Sequence, residues 1–128
     1  MAYRTPVKRA VGLGSAKDGV HHWWMQRVTA IALVPLVLWF TFSMAVYAGA
    51  DFETVRAWIA TPMVAVLLIA LIVTALFHAQ LGLQVVLEDY VQPHGLQLAC
   101  VIAVKFLAVL LILVGVLSVL RIALGGQT

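Results

Sequence analysis

The chain has 128 residues, of which 64% are hydrophobic and 10% are charged, and its mean hydropathy is +1.08. This composition excludes a soluble domain and predicts an all-helical integral membrane protein that forms a single bundle. The net charge of +3 comes from few, scattered basic residues, which excludes nucleic acid as a partner. The single cysteine, Cys100, excludes an intrachain disulfide and a cysteine-based metal cluster.

Most basic residues precede the first apolar run. Residues 1–27 contain one acid, Asp18, and five of the eight Lys and Arg residues, which are Arg4, Lys8, Arg9, Lys17 and Arg27. The positive-inside rule therefore predicts a cytoplasmic N-terminal segment over residues 1–23. The uncharged run over residues 28–50 is too long for the apolar core of a secretory signal, so it predicts a spanning helix instead.

Three spans are predicted in a membrane anchor over residues 24–128, at about 24–48, 58–88 and 95–124. Pro35 is a candidate for a kink in the first span, because proline removes a backbone donor from a helix. An odd number of spans places the C terminus on the periplasmic side. It also returns residues 89 and 90 to the cytoplasmic face.

The second span contains a histidine, His78, and ends on an acid and a phenol, Asp89 and Tyr90. An ionisable residue inside a membrane helix indicates a functional site. At about 100° per residue, Asp89 returns to within about 20° of the direction of His78, roughly 16 Å further along the axis. Tyr90 follows at the headgroup level, where its ring stays apolar and its hydroxyl reaches a polar partner.

Small residues precede and follow His78 by one turn, namely Thr74, Ala75 and Gly82. They predict room for a flat macrocycle such as a porphyrin, whose iron binds neutral imidazole. The alternative is a histidine that only hydrogen-bonds across the bundle. One such histidine supplies at most one axial ligand. The second must come from another chain, because the other histidines lie at or beyond the membrane boundary: His21, His22 and His94.

Two further polar features lie inside the spans. Gln80, Gln84 and Glu88 recur every four residues and predict a polar stripe that joins helices, or a soluble partner, through hydrogen bonds. Lys105 in the third span is expected to snorkel to the near interface, with a role in a proton path as the alternative.

His21, His22, Trp23 and Trp24 precede the first span and are followed by Arg27. Such residues commonly form an interfacial belt with solvated histidines beside it. The alternative is chemical, since arginine at the membrane rim presents a planar fork that matches a carboxylate such as a haem propionate.

The run GLGSAKDGVHHWWMQRVTAIALV and the later spacing of His78, Asp89 and Tyr90 resemble the small hydrophobic membrane-anchor subunit of succinate dehydrogenase, respiratory complex II, of the haem b type. The resemblance covers nearly the whole chain. It implies that His78 is an axial ligand of the haem iron and that His21 and Arg27 approach the haem propionates. It also implies that Tyr90 hydrogen-bonds ubiquinone, with Asp89 beside it.

The resemblance implies a non-catalytic anchor subunit of a heteromeric, haem-binding bundle that passes electrons from succinate to ubiquinone. The expected partners are a second, cytochrome b membrane subunit, an iron–sulfur subunit and a flavoprotein subunit. The expected location is the bacterial cytoplasmic membrane, in preference to the mitochondrial inner membrane. A fumarate reductase anchor and a cofactor-free structural tether remain the alternatives. A small transporter is disfavoured, because few charges lie near the middle of the membrane.

Overall fold

The computed structural model describes residues 14–125, and regular structure within this range is entirely helical. The four helices are α1 (Gly14–Tyr47), α2 (Phe52–Ala60), α3 (Pro62–Tyr90) and α4 (His94–Ala123). The segment Gly19–Tyr47 of α1 and the whole of α3 and α4 are long and apolar enough to cross a membrane. The prediction of an all-α membrane protein with three spans is therefore confirmed.

The first helix begins earlier than the predicted span. It starts at Gly14 and so includes much of the segment predicted to precede the membrane over residues 1–23. The remainder of that segment, with Arg4, Lys8 and Arg9, lies outside the described residues. Pro35 lies within the continuous helix α1.

The second span is shorter than the predicted range of 58–88. Trp58 belongs to the separate helix α2, and the backbone at Thr61 is extended, with φ −65° and ψ 127°. Proline disfavours the α conformation of the residue before it and is well tolerated as the first residue of a helix. Pro62 therefore separates α2 from α3.

Helix α2 is held at both of its ends. Asp51 caps its start, where a carboxylate oxygen accepts a hydrogen bond from the Thr54 N–H at 3.2 Å. Hydrogen bonds from the side chain and the backbone of Thr54 hold the pKa of Asp51 below its ordinary value. Near its other end, the Trp58 ring lies 5.9 Å from that of Trp39 and 4.9 Å from that of Tyr47, between ring centroids. This aromatic cluster fixes α2 against α1.

Helix α3 is the centre of the bundle, since it packs extensively against both α4 and α1. A Cβ atom added at Gly115 of α4 would lie 2.9 Å from the Cγ2 atom of Ile72, so glycine permits the close approach of α3 and α4 there. Ala65, Leu68 and Val119 form the buried cluster at the Tyr47 end of the bundle. The opposite end, where α3 stops and α4 starts, is called the Tyr90 end.

Much of the apolar surface is exposed in the isolated chain. Ile31, Phe42 and Phe106 each expose more than 70% of their surface. In a bilayer, lipid tails or partner helices cover such faces without hydrophobic cost. These faces therefore suit contact with lipid or with other membrane helices.

Candidate functional site

His78 is held by a hydroxyl of the neighbouring helix. Its Nδ1 atom lies 2.9 Å from the Thr29 Oγ1 atom, across a sequence separation of 49 residues. Thr29 lies on α1 and is buried, whereas His78 is half-buried on α3. This contact sets the imidazole opposite the first span and fixes which residues of α1 surround it.

The rest of the His78 ring faces an apolar groove of about 410 Å³. Besides His78, the lining consists of five aliphatic residues of α1, which are Ala30, Leu33, Val34, Val37 and Leu38. No group of three His, Cys, Asp or Glu residues within residues 14–125 could hold a bare metal ion. A lone imidazole in an apolar groove fits a prosthetic group that brings its own metal ligands and a flat, apolar body, as a porphyrin does.

The small residues around His78 do not form the wall of this groove. A Cβ atom at Gly82 would lie 3.8 Å from the Nε2 atom of Gln26, so Gly82 faces α1 instead. Neither Thr74 nor Ala75 lines the groove. That these three residues make room for a macrocycle stays a prediction, while α1 supplies the lining of this groove.

Arg27 lies on the stripe of α1 that forms the groove. It precedes Ala30 by three positions and Val34 by seven, which places all three on one face of the helix. Its guanidinium carbon lies 5.4 Å from the centroid of the Trp23 ring, and its side chain is exposed. The arginine therefore stands toward the Tyr90 end of the groove.

His21 lies on a different face of α1 from Arg27. The six-residue separation turns it by about 120° around the axis. His21 and His22 line a cavity of about 630 Å³ together with the polar residues Gln80, Gln84, Glu88 and Lys105 and apolar residues such as Phe77 and Leu81. The structure therefore does not bring together His21 and Arg27, the two residues predicted to approach the haem propionates.

The glutamine stripe of α3 forms a hydrogen-bonded chain along its own helix. Gln80 donates to Gln84 at 3.1 Å, and Gln84 donates to Glu88 at 2.9 Å. The chain runs along one wall of this cavity, within α3. That the stripe joins helices, or a soluble partner, stays a prediction. Lys105 enters the same cavity from α4, at about the depth of His78, since each lies roughly 16–18 Å from the Tyr90 end.

Asp89 and Tyr90 are the last two residues of α3, and both are exposed. Tyr90 exposes 81% of its surface, which leaves its hydroxyl available to a group from outside the chain. Because His78 and both of these residues belong to one uninterrupted helix, the separation of about 16 Å between His78 and Asp89 is a rigid distance.

Gln97 is a site residue that the sequence did not indicate. From the first turn of α4, its Nε2 atom donates to the Glu88 carbonyl at 2.6 Å. Its Oε1 atom lies 3.2 Å from the Nδ1 atom of His94. Gln97 thus ties the last turn of α3, which carries Asp89 and Tyr90, to α4. The only sequence signal was a polar residue shortly after the turn between the two helices.

Comparisons with known proteins agree with this architecture. The model of the family described as succinate dehydrogenase/fumarate reductase transmembrane subunit matches residues 1–112. The succinate dehydrogenase hydrophobic membrane anchor subunit of Rickettsia bellii is 36% identical, over 91% of this chain and 94% of the relative. The subunit of the same name from Rickettsia conorii is 32% identical, over 91% of this chain and 93% of the relative. That from Paracoccus denitrificans is also 32% identical, over 83% of this chain and 82% of the relative. The chain therefore belongs to the family of succinate dehydrogenase and fumarate reductase transmembrane subunits, as a membrane anchor of the succinate dehydrogenase type.

Proposed function

We propose that the chain provides one axial ligand to haem b and part of the ubiquinone site in a succinate:ubiquinone oxidoreductase. His78 is the iron ligand, and Asp89 and Tyr90 contact the quinone. The proposal rests above all on the placement of His78, whose imidazole is half-buried, held at one nitrogen by Thr29, and in contact with an apolar groove.

The residues around His78 suit haem b. Five aliphatic side chains offer an apolar wall to the macrocycle and exclude water from the iron ligand. Arg27, on the same stripe of α1, offers a guanidinium fork to a propionate and is better placed for this than His21. When bound, the haem supplies one-electron redox chemistry.

The second axial ligand comes from a second membrane subunit. His78 is the only described histidine deep in a span, since His21 and His22 lie near the start of α1 and His94 begins α4. The chain offers large exposed apolar faces on which such a subunit can pack. The haem then lies between the two subunits.

Tyr90 orients ubiquinone. Its exposed hydroxyl donates a hydrogen bond to a quinone carbonyl, and that bond strengthens as the oxygen gains negative charge during reduction. Asp89, next to it, orients the hydroxyl or relays a proton. The electrons arrive from succinate through a flavoprotein subunit and an iron–sulfur subunit. These soluble subunits cover the Tyr90 end.

The proposed orientation follows from charge. Five of the eight basic residues lie within residues 1–27, which favours a cytoplasmic N terminus in a bacterial inner membrane. The Tyr90 end then faces the cytoplasm, and the C terminus lies in the periplasm.

A fumarate reductase anchor is the second candidate, since the description of the matched family covers both enzymes. The three relatives named above carry the succinate dehydrogenase name, which favours succinate oxidation.

The test is a reduced-minus-oxidised optical spectrum of the purified complex, combined with its succinate:ubiquinone activity. A b-type band and quinone-dependent turnover are expected. A complex with full succinate oxidation but without a b-type band would be a cofactor-free tether, and the proposed role of His78 would then be wrong.

A further inference from the structure

Thr29 makes three close polar contacts through one hydroxyl group. Its Oγ1 atom lies 2.7 Å from the Met25 carbonyl oxygen, 3.1 Å from the Gln26 carbonyl oxygen and 2.9 Å from the His78 Nδ1 atom. The side chain is only 7% exposed, so water does not compete for these contacts. The hydroxyl has one hydrogen to donate and two lone pairs that accept.

The positions of the heavy atoms decide where that hydrogen lies. A carbonyl oxygen cannot donate, so the 2.7 Å contact between Thr29 and Met25 is a hydrogen bond only if the hydroxyl hydrogen points at the Met25 oxygen. If that hydrogen pointed at His78, two oxygen atoms would face each other at 2.7 Å through their lone pairs. Thr29 is therefore the acceptor toward His78, and the imidazole Nδ1 carries the proton.

A neutral imidazole carries hydrogen on only one of its two ring nitrogens. The neutral ring with hydrogen on Nδ1 keeps the lone pair on Nε2. That lone pair is the group with which an imidazole binds a metal.

We propose that Thr29 is a positioning residue that locks His78 in the Nδ1-protonated tautomer and leaves Nε2 ready to bind iron. The metal-binding part of this inference rests on the haem role proposed above, whereas the tautomer itself does not. The hydrogen bond from Nδ1 also fixes the rotation of the ring and makes Nε2 a stronger electron donor to a metal. Thr29 thus acts on the iron through His78, without contact with the iron.

The tautomer can be measured in the full-length chain in lipid bilayers without haem, by ¹⁵N NMR of ring-labelled histidine. The spectrum of His78→Gln identifies the His78 signals. We expect the parent chain to show a protonated Nδ1 and an unprotonated Nε2 at His78. A parent His78 that carries its proton on Nε2 would overturn the proposal, whatever the haem content of the complex.

Three variants separate the effect of the Thr29 hydroxyl on the His78 tautomer from an effect of packing alone. Thr29→Val keeps the shape but removes the acceptor, and the ratio of the two tautomers should fall by roughly 2–10-fold, as for the loss of one ordinary hydrogen bond. Thr29→Ser should retain the parent ratio. Ser43→Ala is the matched control, because Ser43 is also buried and donates to the carbonyl four residues earlier, Trp39, at 2.8 Å. An equal change of the tautomer ratio in Ser43→Ala and Thr29→Val would overturn the proposed role of Thr29.

A second measurement tests the connection to iron in the assembled complex. Loss of the Nδ1 hydrogen bond makes His78 a weaker electron donor, so Thr29→Val should move the midpoint potential of the b-type haem to a more positive value. Thr29→Ser should restore it. An unchanged potential in Thr29→Val with haem still bound would refute the tuning role. A complex without haem would refute the haem proposal alone, since the NMR result stands by itself.

Discussion

The middle and the end of helix α3 differ in how much of their geometry the chain fixes by itself. In the middle, His78 is half-buried, hydrogen-bonded to Thr29 and walled by aliphatic residues of α1. At the end, Tyr90 exposes 81% of its surface, and only the backbone of its last turn is tied to the bundle, through Gln97. The orientation of His78 is therefore a property of this chain, whereas the environment of Tyr90 depends on its partners.

This difference has a functional meaning. In the role proposed for His78, a metal ligand needs one tautomer and one direction, and packing within a single chain can provide both before assembly. A contact to a mobile substrate can be completed by other subunits once they dock. The following experiments test each half of this comparison.

The largest effect is expected from His78→Ala in the complex. If His78 is the proposed axial ligand, the substitution removes it, so haem should be lost or strongly perturbed, as measured by the reduced-minus-oxidised spectrum. Insertion should persist, since the apolar length of α3 is unchanged. His94→Ala, at the start of α4, is the control and should keep the parent spectrum. Normal haem content and potential in His78→Ala would mean that another residue binds the iron.

Tyr90→Phe tests the exposed end of the helix. It removes a hydroxyl that is proposed to bond a carbonyl with growing negative charge, a contact worth about 1.5–3 kcal/mol. Quinone reductase turnover should fall by roughly 10–150-fold, while succinate oxidation with an artificial acceptor upstream is retained. The measurement is the ratio of these two activities at equal haem content.

Tyr47→Phe provides the matched control for Tyr90→Phe. Tyr47 lies at the opposite end of the bundle, where its ring packs 4.9 Å from that of Trp58, and this packing survives the substitution. The activity ratio should stay at the parent value in Tyr47→Phe. If Tyr90→Phe also left the ratio unchanged, Tyr90 would be only an interfacial anchor.

Arg27→Leu tests whether Arg27, on the groove side of α1, binds a haem propionate as proposed. Arg27 lies on the groove stripe of α1, and its loss should shift the haem potential or weaken haem retention. Arg121→Leu, in the last turn of α4 at the Tyr47 end, is the comparison and should do less. Equal shifts in the two variants would remove the propionate assignment.

Gln97→Leu should give the smallest effect. It deletes the 2.6 Å hydrogen bond that ties the last turn of α3 to α4, and such a bond contributes about 0.5–1.5 kcal/mol. Quinone activity should fall by at most about tenfold, with haem unaffected. Gln92→Leu, at an exposed position of the turn, is expected to retain activity. A haem change in Gln97→Leu would show that the two regions of α3 are coupled.

The sequence alone was sufficient to predict the three spanning helices and the distances between residues along one helix. Apolar runs of about 20 residues form helices in a bilayer, because a helix satisfies every backbone polar group within a single segment. The rigid separation of His78 from Asp89 and Tyr90 followed from helical geometry alone. The roughly 120° between His21 and Arg27 and the helix break at Pro62 also follow from the local sequence, although the span predicted over 58–88 includes Trp58.

Only the tertiary structure decided which faces of the helices meet. Thr29 and His78 are 49 residues apart, and nothing in either span marks the other as its partner. The packing of α1 over Gly82, the aliphatic walls of the groove and the bond from Gln97 to Glu88 likewise depend on the relative rotation of packed helices. That rotation is set by many weak contacts between nearly uniform apolar surfaces, and the sequence of a single helix does not determine it.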